Sequence, residues 1–409
     1  MPEAPPTVLL IGTLDTKGAE YAFVRDLLHA AGIATIVVDC GTAGAPFFAP
    51  DITAHAVAAA ADAELSALTA AGDRGAAVST MARGATIIAE QLYADGRVHG
   101  LLALGGSGGT SIASAAARAL PIGLPKLIVS TMAASDTRSL IGESDLMLAA
   151  SVVDVAGLNS ISRRIFANAA AAMAGMVTAP ALPAEEGRPL LAASMFGVTT
   201  PCVTQAREQL EAAGYEVLTF HMTGTGGRSM ESLIAGGFIR GVLDTTPTEL
   251  CDELVGGVLS AGPDRLTAAG RAGIPQAVSL GALDMVNFGP RDTVPAKFEG
   301  RNLYVHNDQI TLLRTTPDEC AALGREVAEK LSAASGPTAL FIPLRGISMI
   351  ATEGGPFHDP AADAALFGAV REHLGPNVEL IELELDVNDP AFSKAMADWL
   401  HAAVQAAAR

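Results

Sequence analysis

Short apolar runs alternate along this chain with longer stretches whose apolar residues fall on one helical face. Thr7 to Gly12 is the first run, too short for a helix and followed by Thr13-Leu14-Asp15-Thr16-Lys17-Gly18. Beyond it, Phe23, Val24, Leu27, Leu28 and Ala31 share a helical face that Gly32 ends. Further strands are read at Thr35 to Val38, Leu101 to Leu104 and Leu127 to Ser130, with mostly helical sequence from Ile52 to Asp95 and from Val152 to Met176. After Thr178 to Pro189, a linker by its Pro180, Pro183, Glu185, Glu186 and Gly187, the pattern restarts. Strands are expected at Leu190 to Met195, Glu216 to Phe220, Ile239 to Leu243, Ala277 to Leu280, Asn302 to Val305, Ala339 to Ile342 and Glu379 to Leu383. Such alternation predicts an α/β protein of two doubly wound domains with mainly parallel sheets, at residues 1–180 and 190–409.

One junction carries the strongest chemical signal. The run Leu101 to Leu104 breaks into Gly105-Gly106-Ser107-Gly108-Gly109-Thr110, with an alanine-rich helix expected from about Thr110. Glycines there permit positive φ and remove the Cβ atoms that would hold a ligand away from the backbone N–H groups. Those N–H groups and the helix dipole form an anion site, to which Ser107 and Thr110 add hydroxyls, and the natural ligand is a phosphate. Ser111 stands where a dinucleotide fingerprint needs its third glycine, and no Walker lysine motif occurs. The bland alternative is a tight turn with no ligand.

In a parallel sheet, ligand groups gather beyond the carboxyl ends of strands, and other polar loops fall there. Lys17 would neutralise phosphate and Asp15 would hold Mg²⁺ or a hydroxyl; alternatively Asp15 or Thr16 caps a solvated helix. Asp39 is placed for a ribose contact or for an Asx-turn. Thr131 to Thr137 is small and hydroxylated, and its Asp136 either binds a metal or caps a turn. In the second half, His221 precedes Thr223-Gly224-Thr225-Gly226-Gly227-Arg228, a second glycine loop that echoes the first. Asp284 to Gly289 reads as a polar turn bearing Asn287. His306, His358, Asp359 and Arg345 are candidate catalytic groups for proton transfer and for binding a carboxylate or phosphate in one cleft. The structural reading, favoured for each histidine singly, is that His306 and His358 satisfy loop carbonyls and that Asp359 is a helix N-cap.

Composition narrows the partners. A net charge of −18 argues against nucleic acid and anionic membranes, which leaves small molecules as the better ligands. The four cysteines, Cys40, Cys202, Cys251 and Cys320, form no C-x-x-C pair, and with no signal peptide or membrane span read in the sequence the expected home is the reducing cytoplasm.

Several stretches together resemble a known family: Gly12 to Lys17, Gly105 to Thr110, Ser151 to Asn159, Thr223 to Arg228 and Gly354 to Asp359. The chain is similar to the ATP-binding domain family named for the tomato mosaic virus resistance protein, whose bacterial members stand alone. The resemblance implies two Rossmann-like domains, ATP bound by the first, with Mg²⁺, and a tendency to form homodimers. It adds Gly12, Thr13 and Thr16 to the expected nucleotide contacts. A barrel domain resembling phosphoenolpyruvate hydrolase is joined to the related domain in plants, so by analogy a separately encoded barrel protein becomes a possible partner. Two function classes follow: a nucleotide-binding regulatory or interaction protein, and an ATP-dependent enzyme acting on a small carboxylate or sugar acid between the domains. The linker reading is testable by limited proteolysis, which should yield two resistant fragments separated between Thr178 and Pro189. A first cut elsewhere would displace the boundary.

Overall fold

The computed structural model describes residues 5–180 and 187–408, so the central part of the expected linker lies outside the described residues. The chain divides into two compact units, 1–183 and 184–409.

The first unit runs β1 (Thr7–Gly12), α1 (Leu14–Ala30), β2 (Ala34–Asp39), α2 (Ala54–Ala60), α3 (Leu65–Ala71), α4 (Arg74–Ala94), β3 (Gly100–Gly105), α5 (Ser107–Ala119), β4 (Lys126–Ser130), α6 (Arg138–Ile141), β5 (Met147–Ala150) and α7 (Ser160–Thr178). Its strands form one parallel sheet in the order β2-β1-β3-β4-β5. Alternate residues of β1 serve opposite faces. Leu9 and Ile11 share a core with Met81 and Ala85 of α4 and Ile112 of α5. Val8 and Leu10 share another with Tyr21 and Val24 of α1 and Phe166 and Met173 of α7. Burial on both faces is why these strands read as unbroken apolar runs.

The second unit runs β6 (Leu190–Met195), α8 (Thr200–Ala212), β7 (Glu216–His221), α9 (Thr225–Ala235), β8 (Gly241–Asp244), α10 (Glu249–Val255), α11 (Ala268–Ala272), β9 (Gln276–Ser279), β10 (Met285–Phe288), β11 (Leu303–Asn307), β12 (Ile310–Arg314), α12 (Pro317–Ser332), β13 (Thr338–Pro343), α13 (Pro360–His373), β14 (Glu379–Leu383) and α14 (Pro390–Ala407). Six strands form a parallel sheet in the order β14-β13-β9-β8-β6-β7. One face carries α8 and α14, through Cys202, Ala206, Met396 and Leu400. The α/β architecture with two mainly parallel sheets is therefore present. No helix among the described residues is long and apolar enough to cross a membrane.

The structure departs from the sequence pattern in three places. An antiparallel sheet, β10-β12-β11, was not anticipated; Asp284 to Gly289, expected as a polar turn, contains its buried strand β10. Asn287 is tolerated there in part because its side-chain amide donates to Asp252 at 2.8 Å, which satisfies the nitrogen end of the side chain. The short edge strand β5 was missed, and the segment expected to be helical from Val152 becomes helix only at Ser160. Asn159 sets that start: its Oδ1 accepts from Ile161 and Ser162, and Ser162 Oγ accepts from the Asn159 N–H. Finally, α5 starts at Ser107 rather than near Thr110, so Gly108 and Gly109 belong to its first turn.

A buried ionic cluster ties the second unit together. Arg265 is fully buried and grips Asp244 with two nitrogens at 2.6 and 2.7 Å, Glu249 at 2.8 Å and Glu231 at 3.2 Å. Those carboxylates hold other elements in turn: Asp244 accepts from Ser194 of β6 at 2.6 Å, and Glu231 accepts the N–H groups of Leu266 and Ala268 at the start of α11. Replacing Arg265 with Met would leave three carboxylates without their shared cation, so it should cost about 3–5 kcal/mol. Denaturant unfolding of the Arg265→Met protein should show that loss in the second unit's transition, and an unshifted midpoint would mean that the cluster contributes little.

Candidate nucleotide site in the first unit

The crevice of the first unit begins where two neighbouring strands stop pairing. β1 pairs with β3 only from Val8↔Gly100 to Leu10↔Leu102, although β1 continues beside β2 to Gly12 and β3 continues beside β4 to Gly105. The strand order reverses at this point, since the chain leaves β1 for β2 on one side and returns to β3 on the other. The phenol of Tyr21 fills the gap. Its fully buried hydroxyl donates to the Ile11 carbonyl of β1 and accepts from the Leu104 N–H of β3 at 2.8 Å. Burial holds its ionisation well above the ordinary tyrosine range, so it remains a donor. Gly12 is required by this ring: a Cβ there would lie 2.0 Å from Cζ of Tyr21.

Above the gap lies a cavity of about 830 Å³, lined from the carboxyl ends of all five strands. Thr13, Asp15, Thr16 and Lys17 follow β1; Cys40, Thr42 and Ala43 follow β2; Gly105 to Gly109 follow β3; Thr131 follows β4; Asp154 follows β5. Leu68, Arg74, Val78 and Ile112 complete an apolar wall with one cation. Among the described residues neither Lys17 nor Arg74 has an ion-pair partner. Lys17 also breaks the helical geometry of α1, with φ −126° and ψ 15°.

The N-terminus of α5 opens into this cavity without a side-chain cap and without an acidic residue in its first turn. Its first N–H groups have no partner inside the helix, and they carry the positive end of the helix dipole. None of the glycines here uses the positive φ that its lack of a side chain permits. Gly105 is demanded by packing, because a Cβ would meet the Thr110 nitrogen at 2.9 Å. At Gly106, Gly108 and Gly109 the nearest atoms to a Cβ are 3.9, 3.5 and 3.7 Å away, which is ordinary contact. Glycine inside a helix is less favourable than alanine by about 1 kcal/mol, so folding gives no reason for glycine at 108 and 109. The open side of these residues faces the cavity.

Other expected contacts lie elsewhere. Asp39 is buried, and its Oδ1 accepts from Leu14 at 3.0 Å and from Gly41 at 2.9 Å, an Asx-turn that also occupies the N-terminus of α1. Burial pushes the Asp39 carboxyl above the usual range, against those two N–H groups. Thr110 is fully buried, its hydroxyl 2.6 Å from that of Ser130, so it locks α5 to β4. Asp136 is exposed and paired with Arg138, whose side-chain hydrogen bonds lower its carboxyl to about 2. Gly12, Asp39, Thr110 and Asp136 are thus outside the cavity lining, whereas Thr13, Asp15, Thr16, Lys17, Gly105, Gly106, Ser107, Gly108, Gly109 and Thr131 are in it. Arg74 and Asp154 are cavity residues beyond those the sequence points to. Arg74 begins a helix after a break that the sequence does show, but Asp154 lay in a segment mistaken for helix.

The second glycine loop has a different fate. Glu249 Oε1 accepts the N–H groups of Gly224 and Gly227 at 2.6 and 3.0 Å, so the N-terminus of α9 is filled by the protein's own carboxylate. Its glycines are required by close packing: a Cβ at Gly226 would meet the His221 carbonyl at 1.8 Å, and one at Gly227 would meet Glu249 at 1.9 Å. The four catalytic candidates have different surroundings. His306 lines a separate cavity, Asp359 caps α13 by accepting from Ala361 and Ala362, His358 lies 3.5 Å from the Ala351 carbonyl, and exposed Arg345 pairs with Glu384 at 2.8 Å.

Replacing Tyr21 with Phe leaves the ring but deprives the buried Leu104 N–H of its acceptor. Thermal or denaturant unfolding should show a loss of roughly 1–3 kcal/mol. An unchanged curve would mean that the ring alone keeps the strands apart.

Comparison with known proteins assigns both units to one family. Residues 6–181 match the model described as Uncharacterised protein family (UPF0261) N-terminal domain, and residues 188–404 match that of its C-terminal domain. A UPF0261 protein of Clostridium tetani is 49% identical over 96% of this chain and 98% of its own length. One from Mesorhizobium japonicum is 45% identical, with the same two coverages. The ToMV resistance protein Tm-1 of Solanum lycopersicum is 40% identical over 96% of this chain, which spans 55% of the tomato protein. With both of its units matched and relatives of this identity along nearly its whole length, the chain belongs to the UPF0261 family.

Proposed function

We propose that the first unit binds ATP in the crevice beyond β1 and β3. The observation that carries this reading is the uncapped N-terminus of α5, whose glycines have no packing role and open into a cavity that also holds Lys17 and Arg74. Backbone N–H groups of Ser107, Gly108 and Gly109 bind the phosphate oxygens, and the two cations neutralise them. Mg²⁺ is held mainly by the phosphates, with Asp15 and Asp154 among the cavity's carboxylates, the third, Asp73, being engaged as the cap of α4. The Asp15 Oδ1, buried and without a partner, fits that role. Leu68, Val78 and Ile112 form the apolar wall for the base. The cavity volume falls within the range of roughly 300–1,000 Å³ usual for small-molecule sites.

A nucleotide-binding protein is favoured over an ATP-dependent enzyme acting on a small acid, because Asp359 is engaged as the cap of α13 and Arg345 in an exposed ion pair with Glu384. Calorimetry with MgATP tests the reading. Gly108→Val should reduce affinity by at least about 30-fold by obstructing the phosphate, and Lys17→Ala by roughly 10- to 100-fold by removing a charge-assisted contact. Both variants should keep the unfolding midpoint of the parent. Unchanged affinity in Gly108→Val, or no saturable nucleotide binding by the parent protein, would overturn it.

A further inference from the structure

We infer that the second unit carries its own ligand site, suited to a small aromatic molecule bearing an N–H or O–H donor. A cavity of about 330 Å³ lies beyond the carboxyl ends of β6 and β7, between them and the antiparallel sheet. Rings gather around it: Phe196, Phe288, His221 and His306, in a chain whose Phe, Trp and Tyr amount to only 4%. Phe196 and His221 are already tilted against one another, with centroids 5.3 Å apart, and ring faces and edges of this kind accommodate another ring.

One polar atom decides the ligand's chemistry. Asn287 is 1% exposed; its backbone N–H and its Nδ2 both donate to Asp252, at 3.1 and 2.8 Å. A carboxylate facing Nδ2 fixes the orientation of the amide, so Oδ1 is the other atom. Among the described residues that Oδ1 has no hydrogen-bond partner. An unpaired buried acceptor costs free energy until a donor reaches it, and this residue lines the cavity. Burial raises the Asp252 carboxyl to about 6, which leaves it ionised and accepting near neutral pH. The cavity lining contains no Lys or Arg, so a phosphate or a carboxylate has no permanent cation to meet there. An aromatic ring with an O–H or N–H satisfies the apolar walls and the acceptor together. The site is independent of the nucleotide reading, since all its residues belong to the second unit.

Saturation-transfer NMR on the full chain, with titrations of phenol, indole, N-methylindole and cyclohexanecarboxylate, tests the proposal. Val258 lines the cavity and is 64% exposed, so Val258→Trp blocks the opening without disturbing the core. Indole or phenol should bind saturably, N-methylindole about tenfold more weakly than indole, and Val258→Trp should weaken binding at least about tenfold. Gly108→Val should bind indole as the parent does, which separates this result from the fate of the nucleotide site. Binding weaker than about 1 mM for every aromatic probe, equal binding by Val258→Trp, or a preference for cyclohexanecarboxylate would overturn the proposal.

Discussion

A single hydroxyl group sets the shape of the first unit's crevice. Strands β1 and β3 belong to the same sheet but cannot stay paired to their ends, because the phenol of Tyr21 stands between them and takes over the hydrogen bonds that a ladder would have made. A gap in a buried sheet normally leaves backbone groups unpaired at high cost. Here Ile11 O and Leu104 N are both satisfied, so the opening is a stable part of the fold. Two sequence features follow from it: Gly12, which makes room for the ring, and the glycines that begin where β3 leaves the sheet.

The two units use the same reversal of strand order and the same strand, glycine and helix sequence, yet they treat the helix N-terminus differently. In the second unit Glu249 supplies the negative charge from within, and Arg265 balances it. In the first unit the N-terminus of α1 is likewise taken by Asp39, which leaves that of α5 as the uncapped one beside Lys17 and Arg74. A chain of net charge −18 repels anions at long range, so an anion is held only where such fixed donors converge at short range.

Much of this architecture is legible in the sequence because buried parallel strands leave unbroken apolar runs: Thr7 to Gly12 and Leu190 to Met195 match the observed bounds, as does the exposed edge strand Glu379 to Leu383, whose apolar residues alternate with glutamates. Of the antiparallel sheet, the strand expected at Asn302 to Val305 is present as β11, but its antiparallel pairing and β10 are not legible. Strand β10 carries Asn287, whose side-chain N–H is met by Asp252 from α10, a partner distant in sequence. Asp39 shows the same limit at the site. Position after a strand put it near the crevice, but its hydrogen bonds to Leu14 and Gly41 turn it into a support for the loops that line the cavity.

Glycine itself illustrates why a motif needs coordinates. Gly105-Gly106-Ser107-Gly108-Gly109 and Gly224-Thr225-Gly226-Gly227 look alike as sequence, and either satisfies the expectation of a backbone anion cradle. The difference appears only when a Cβ is placed on each. At Gly226 and Gly227 it would strike the His221 carbonyl and the Glu249 carboxylate, so close packing explains the glycines fully. At Gly108 and Gly109 it would meet nothing closer than ordinary contact, while helix propensity argues for alanine. Packing does not account for glycine at these two positions. The cavity lies on that side of α5.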